Sequence, residues 1–331
     1  MKKIAVIFTG GTISMKIDER LKSVIPALSD EEIMSKVTGI EKMAQIIPSH
    51  FGNFPGPHIN PSMILDLANK VNELLEHKYI DGVVVTHGTD TLEETAYFLD
   101  KWITNRKPVV VTGAMRNSSE LGYDGPANLS ASICTACDNE SFGEGVLVVL
   151  NNHIYSADEV MKTHTLSLDT FKSLDFGPLG IVDQDNVIFY RKRRKRHIKI
   201  NSAKIEEKVA LVKAASGMGS NFIKYCIKEN YKGIVIEGMG RGNVPPFMVE
   251  GIKEAIEKGI PVVIVSRCPR GRVLDSYGYE GGGRQLREMG VILGENLSGQ
   301  KARIKLMLIL GKTNNYKEVR ALFEEDLYEK K

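Results

Sequence analysis

The sequence predicts an α/β fold, with a parallel-sheet domain followed by a smaller α/β domain. Three observations carry that expectation. Short Val and Ile runs recur without polar alternation at residues 4–8, 82–86, 109–112, 146–150, 209–212, 233–237 and 262–266. Strands that read as continuous apolar runs are buried on both faces, as in a parallel sheet. Helical patterns with start signals lie between these runs, and alternation of strand and helix means right-handed βαβ crossovers. The length, 331 residues, corresponds to roughly two domains at about 150 residues each.

The elements follow in order. The first strand, at residues 4–8, runs into Gly10-Gly11. Ser29-Asp30-Glu31-Glu32 has the form of a capping box and opens a helix. Asn60-Pro61 sets a cap before a first-turn proline, and Ile64, Leu67, Ala68, Val71, Leu74 and Leu75 follow at helical spacing. A further helix over about 91–104 presents Leu92, Thr95, Ala96, Leu99 and Trp102 on one face, and residues 128–139 read as another. After Phe176 the pattern weakens: residues 177–200 alternate polar and apolar like a β-hairpin that ends in a basic block. Strand and helix units resume at Lys208. The expected organisation is therefore a domain over 1–190, a basic linker over 191–207 and a second domain over 208–331.

Composition excludes several classes. With 42% hydrophobic and 26% charged residues, and Gly and Pro in no fixed period, the chain is neither disordered nor collagen-like. No apolar run approaches the length of about 20 residues that a bilayer span needs. The apolar stretch at 4–8 is shorter than a secretory core, so a cytoplasmic protein with no membrane partner is expected. Four cysteines make no disulfide framework. Cys134 and Cys137, spaced as CxxC without a second pair, read as small core residues rather than a zinc or redox site. No metal or cofactor is expected. A net charge of +3 defines no partner class. Residues 191–197, RKRRKRH, could meet phosphates, but such a run is more often solvated, which leaves nucleic acid the less favoured partner.

In open parallel sheets, ligands bind beyond the carboxyl ends of the strands where strand order reverses. Here the strands at 4–8, 82–86 and 109–112 are followed by Thr9-Gly10-Gly11-Thr12-Ile13, His87-Gly88-Thr89-Asp90-Thr91 and Gly113-Ala114-Met115. Glycines allow close backbone approach and expose N–H groups, and Thr12 and Thr89 supply hydroxyls. That combination suits acyl transfer, in which a hydroxyl attacks a carbonyl carbon and backbone N–H groups receive the oxyanion. A threonine needs a base, and a lysine held beside an acid is one recurrent solution; Asp90 is adjacent and Lys162 is the candidate. One TGGT alone would read as a turn. Three such loops, one carrying Asp90, favour a site. Competing motifs fail: there is no GxSxG and no HExxH, Gly311-Lys312-Thr313 has Leu306 where a phosphate loop needs its first glycine, and Gly10-Gly11 completes no dinucleotide fingerprint.

At these residues the chain resembles the bacterial-type L-asparaginase family, and the likeness runs through nearly its whole length. It rests on TGGTI at 9–13, THGTDTLEETAYFL at 86–99 and VVTGAMRNSSELGYDGPANL at 110–129. More distal likenesses are the segment ending at Lys162, TFKSLDFGPLG from Thr170, GMGRGNVP at 238–245 and SRCPRGRV at 266–273. The resemblance implies Thr12 as nucleophile, with Thr89, Asp90 and Lys162 as a second group activating the nucleophile or the attacking water. It implies Gly11, Gly88 and Ala114 at the substrate, Ala114 against the amide, and Asn243 reaching into a neighbouring subunit's site. It further implies a larger flavodoxin-like N-terminal domain, a smaller α/β C-terminal domain, and assembly as a homodimer or homotetramer.

The chain also departs from the family pattern. The family places a tyrosine on the loop after TGGTI to assist the nucleophile, yet no tyrosine occurs between Ile13 and His77. Gly56 and Pro57 stand where the family has a serine followed by an acid or glutamine that hold the substrate's α-carboxylate and α-amino groups. His58 offers a donor to a carboxylate, although a loop histidine is more often structural. Glu280 is the nearest match to the family's acidic residue from the second domain. The expected activity is hydrolysis of L-asparagine to L-aspartate and ammonia. The alternatives are hydrolysis of another small amide, motivated by Gly56-Pro57, and an amidotransferase-type or RNA-associated relative, motivated by the basic block.

Overall fold

The computed structural model describes residues 1–193 and 198–324. The chain divides into two compact units, Met1–Arg196 and His197–Lys331.

The first unit is built on an eight-stranded sheet. Its strands are β1 (Lys2–Gly10), β4 (Ala44–Phe54), β5 (Gly82–Thr86), β6 (Val109–Thr112), β7 (Val146–Leu150), β8 (His153–Ser156), β11 (Gly180–Asp183) and β12 (Asn186–Phe189), in the order β12-β11-β8-β7-β6-β5-β1-β4. The segment from β4 through β1, β5 and β6 to β7 is parallel, and the rest adds on antiparallel. The order 4-1-5-6-7 is the flavodoxin arrangement, in which chain direction across the sheet reverses beside the first strand. Burial on both faces explains the apolar runs: Ile4, Ala5, Val6 and Ile7 are wholly buried, as are Val83, Val84 and Val85.

The helices of this unit are α1 (Asp30–Ser35), α2 (Ile40–Met43), α3 (Pro61–Glu76), α4 (Leu92–Trp102) and α5 (Gly125–Cys137). Their starts follow the sequence signals. The Ser29 hydroxyl accepts the Glu32 N–H while the Glu32 carboxylate accepts the Ser29 N–H, and the Asn60 side chain accepts the Met63 N–H at 2.9 Å. Two small ladders stand outside the main sheet, the hairpin β2 (Met15–Asp18) with β3 (Ser23–Pro26), and β9 (Met161–Lys162) with β10 (Phe171–Lys172).

The end of this unit differs from a simply solvated basic run. Arg191 pairs with Glu159, Lys192 with Glu140, and Arg193 with Asp100 at 2.6 Å and Asp158 at 3.3 Å. The Arg193 side chain is only 9% exposed and Asp100 is wholly buried. The two carboxylates hold the Arg193 guanidinium well above its ordinary pKa, against the opposing effect of burial. Residues 194–197 of the basic block lie outside the described residues.

The second unit carries a parallel sheet of β13 (Val209–Lys213), β14 (Gly233–Gly238), β15 (Val262–Ser266) and β16 (Ile292–Leu293), in that order. Its helices are α6 (Asn221–Lys228), α7 (Pro246–Glu257), α8 (Gly283–Glu288), α9 (Gly299–Lys312) and α10 (Tyr316–Glu324). Ile223, Ile234, Ile236, Met248, Ile252, Ile264 and Leu286 form its apolar centre.

All four cysteines are free thiols. Burial pushes Cys134 up to about 11 and raises Cys137 and Cys226 as well. Cys268 is exposed, on the loop after β15. Among the described residues, no helix is long and apolar enough to cross a membrane.

Candidate active site

The site forms where the parallel strands of the first unit end. Register aligns Phe8 of β1 with Thr86 of β5, and Thr86 with Thr112 of β6, while Gly10 pairs with Phe54 of β4. Four loops therefore leave the sheet at one level: 11–14, 55–58, 87–91 and 113–116. Their strand-end threonines divide into two groups. Thr9 donates to the Thr86 carbonyl and Thr112 to the Val149 carbonyl, each at 2.7 Å and each buried, so these hydroxyls tie strands together. Thr12 and Thr89 stand beyond the strand ends.

Glycines allow the loops to meet. Gly11, at φ +83°, lies so close to Gly88 that a Cβ built on it would sit 2.4 Å from the Gly88 Cα. A Cβ on Gly88 would in turn sit 2.6 Å from the Gly56 Cα. Real Cβ atoms do not approach backbone that closely, so Gly11, Gly88 and Gly56 form a floor of touching main chains. The Thr91 hydroxyl donates to the Gly56 carbonyl at 2.8 Å, and the Gly11 N–H to the Phe54 carbonyl at 2.9 Å. Thr12 and Thr89 each follow one of these glycines and so stand on adjoining loops. Thr12 opens a 3₁₀ turn, Thr12–Ser14, and is half-buried.

Lys162 reaches this floor from β9. Its ammonium donates to Thr89 Oγ1 at 2.9 Å and to Asp90 Oδ1 at 2.7 Å. The side chain of Lys162 is 18% exposed and that of Asp90 62%. The Lys162 N–H donates to the carboxylate of buried Glu93 at 2.6 Å, which fixes the strand that carries the amine. Thus Thr89, Asp90 and Lys162 form one hydrogen-bonded group, with Gly11, Thr12, Gly56 and Gly88 on adjoining loops. Ala114 lies wholly buried on the loop after β6. Pro57 and His58 lie exposed on the 3₁₀ turn Gly56–His58. Asn243 and Glu280 belong to the second unit. Asn243 Oδ1 accepts the Gly283 N–H at 3.2 Å, and Glu280 is exposed.

Three supporting groups escape a reading of the sequence. Glu93 is one. His87 is another: it is buried, with Nδ1 2.8 Å from the Gly88 carbonyl and Nε2 2.9 Å from Thr95 Oγ1. Burial pushes its imidazole down to about 4, so the ring is neutral, with Nδ1–H donating to Gly88 and Nε2 accepting from Thr95. The third is Tyr123, whose hydroxyl donates to the Ile13 carbonyl at 2.5 Å. His87 is the first residue of the HGTDT signature and Glu93 lies two residues beyond its end, but the motif itself shows neither partner. Nothing in the sequence connects Tyr123 to Ile13.

Chemically, the cluster offers a half-buried hydroxyl beside close-packed backbone, and a second hydroxyl bonded to a lysine that is itself held by an aspartate. Among the described residues no three His, Cys, Asp or Glu side chains gather as a metal site.

Comparison with known proteins matches residues 3–195 to the asparaginase N-terminal family and residues 208–323 to the glutaminase/asparaginase C-terminal domain. An L-asparaginase of Bacillus licheniformis is 38% identical over 317 residues, spanning 96% of this chain and 97% of that protein. A component of the glutamyl-tRNA(Gln) amidotransferase of Pyrococcus furiosus is 35% identical over 333 residues, covering 96% of this chain and 74% of that component. The crystal structure of a probable cytoplasmic L-asparaginase from Campylobacter jejuni superposes with a TM-score of 0.87 at 36% identity, covering 98% of this chain and 99% of that one. The strand-end threonines, the glycine floor and the two-unit α/β architecture thus belong to a member of the bacterial-type L-asparaginase family, an amidohydrolase.

Proposed function

We propose that the chain hydrolyses L-asparagine to L-aspartate and ammonia through an acyl-enzyme on Thr12. The observation that carries this reading is the bond from Lys162 to Thr89, 2.9 Å, with Asp90 holding the same ammonium at 2.7 Å. Thr12 Oγ1 attacks the side-chain carboxamide carbon, its proton passes to the departing nitrogen, and ammonia leaves. Water then attacks the ester. With Lys162 in its neutral form, Thr89 relays the water's proton to Lys162 Nζ as the water oxygen bonds to the ester carbon, and that proton is then delivered to Thr12 Oγ1 as the ester C–O bond breaks and aspartate departs. Gly11, Gly88 and Ala114 supply backbone around the amide. Asn243 and Glu280 of the partner subunit complete the site in a homodimer or homotetramer. Placement in the cytoplasm is supported by the four unpaired thiols and by the description of the Campylobacter relative.

The position of Gly56 favours a second reading on substrate. Buried against Gly88 and without a side chain, it offers no hydroxyl to an α-carboxylate, and Pro57 and His58 after it are exposed. A small amide with different α-substituents suits the lack of a hydroxyl there. Ammonia release across a panel of asparagine, glutamine and simple amides separates the two, and asparagine turnover far below that of another amide overturns the first. An amidotransferase-type role has less support, since Arg191, Lys192 and Arg193 are committed to carboxylates. Salt-dependent tRNA binding that needs residues 191–196 would restore it.

Trapping tests the covalent step. Added hydroxylamine should divert part of the product to a hydroxamate, and Thr12→Ala should yield none.

A further inference from the structure

We infer that Tyr123 is a positioning residue for the nucleophile, its phenol fixing the turn that aims the Thr12 hydroxyl. The inference rests on the reading of Thr12 as nucleophile. Tyr123 lies on the loop between β6 and α5, more than a hundred residues from the turn it holds. Its O–H donates to the carbonyl of Ile13 at 2.5 Å. Ile13 is the residue after Thr12, inside a turn closed by the Ser14 N–H on the Gly11 carbonyl. Anchoring that one carbonyl stops the short turn from rotating as a body, and with it the Thr12 side chain.

The anchor is itself packed in place. The Tyr123 ring packs against the apolar core of the first unit, and it lies over Gly125 so closely that a Cβ there would meet the ring at 2.5 Å. Burial and the neighbouring Asp124 carboxylate raise the phenol far above its ordinary pKa, so it stays a donor throughout the working range. Adjacent bonds extend the grip. The Ser118 N–H and hydroxyl both donate to the Met15 carbonyl, at 3.0 and 2.9 Å, and Ser119 Oγ accepts the Ile17 N–H at 3.0 Å.

The same loop holds the opposite wall. Asp124 accepts the N–H groups of Met115 and Arg116 at 3.0 and 2.9 Å, and Asn128 links Asp124 to the Gly113 carbonyl. Those bonds set the segment that carries Ala114. Tyr123 and Asp124 therefore fix the nucleophile turn and the amide-facing backbone relative to each other. Misplacing a nucleophile by a fraction of an ångström acts on the rate of attack more than on substrate binding.

Two variants test this on the amide that the wild-type enzyme turns over fastest. Tyr123→Phe keeps the ring and its seat on Gly125 and deletes the donor, whereas Tyr123→Ala removes both. The expected result is a Phe variant with a melting temperature close to wild type, KM within about twofold, and kcat lowered about tenfold to a hundredfold. The Ala variant should lose thermal stability as well, so that Phe restores stability without restoring kcat. A Phe variant whose kcat equals wild type overturns the inference, as does one whose loss of rate disappears once the folded fraction is counted. Thr12→Ala measured in parallel keeps the two claims apart: if it retains turnover, the nucleophile assignment fails and takes the role of Tyr123 with it.

Discussion

Gly11 and Gly88 meet main chain to main chain, so that neither position has room for a single methyl group. This contact, rather than any side-chain interaction, brings the loop of Thr12 beside the loop of Thr89. Gly88→Ala would drive its Cβ to 2.6 Å from the Gly56 Cα and 2.7 Å from the Gly56 nitrogen. Overpacking of this kind costs about 1–3 kcal/mol or more. A lower melting temperature together with a large loss of turnover is expected. Thermal melts and ammonia release on one sample check it, and a stable, active Ala variant would contradict the close approach.

Thr12→Ala should abolish turnover, on the order of 10³-fold or more, while leaving the melting temperature nearly unchanged. Thr12 is half-buried at a turn and contributes little packing. Wild-type rates in this variant would remove the covalent mechanism.

Lys162→Met keeps the apolar stem and deletes the amine. Losing acid/base help should cost on the order of 10²–10⁴ in kcat. Stability should change little, because Asp90 is 62% exposed and water replaces the lost partner. Turnover and melting temperature are read together: an unstable but active enzyme would make Lys162 a structural partner only.

Arg193→Met should do the reverse. The guanidinium lies between Asp100 and Asp158, and Asp100 is wholly buried. Removing one member of a buried ion pair costs about 3–5 kcal/mol, so denaturant unfolding should show a marked loss while kcat per folded molecule stays near wild type.

His87 predicts a stability that depends on pH. Its imidazole is pushed down to about 4 in the folded chain, against about 6.5 when unfolded. Between these values the unfolded chain binds a proton that the folded chain refuses, so stability falls as pH drops. The slope from this group is about 1.4 kcal/mol per pH unit, and no contribution is expected above about pH 6.5. Unfolding curves from pH 7.5 to 4.5, with His87→Gln as control, measure it. An unchanged slope in the variant would assign the effect elsewhere.

Much of this architecture was legible because buried parallel strands must be apolar on both faces. Residues 82–86 and 262–266 carry that mark, and β5 and β15 follow it. The edge strand β4 does not: one side of AQIIPSHFGNF faces no neighbour in the sheet, and Pro48 and Gly52 break any apolar run. The hairpin β2–β3 lacks alternation and a turn signature, and β9 spans only two residues, too few for any periodicity. Within the site, the threonines and glycines stood out because they cluster at strand ends. Glu93 and Tyr123 did not, since a bond from Tyr123 to Ile13 spans 110 positions and leaves no local trace.

The four thiols have a practical consequence. Only thiolates alkylate readily, and burial raises the thiols of Cys134, Cys137 and Cys226, whereas Cys268 stands in solvent. A maleimide fluorophore or spin label added to the unmodified protein should therefore land on one known position. The second domain comes with its own attachment point for spectroscopy, and no cysteine has to be engineered away to use it.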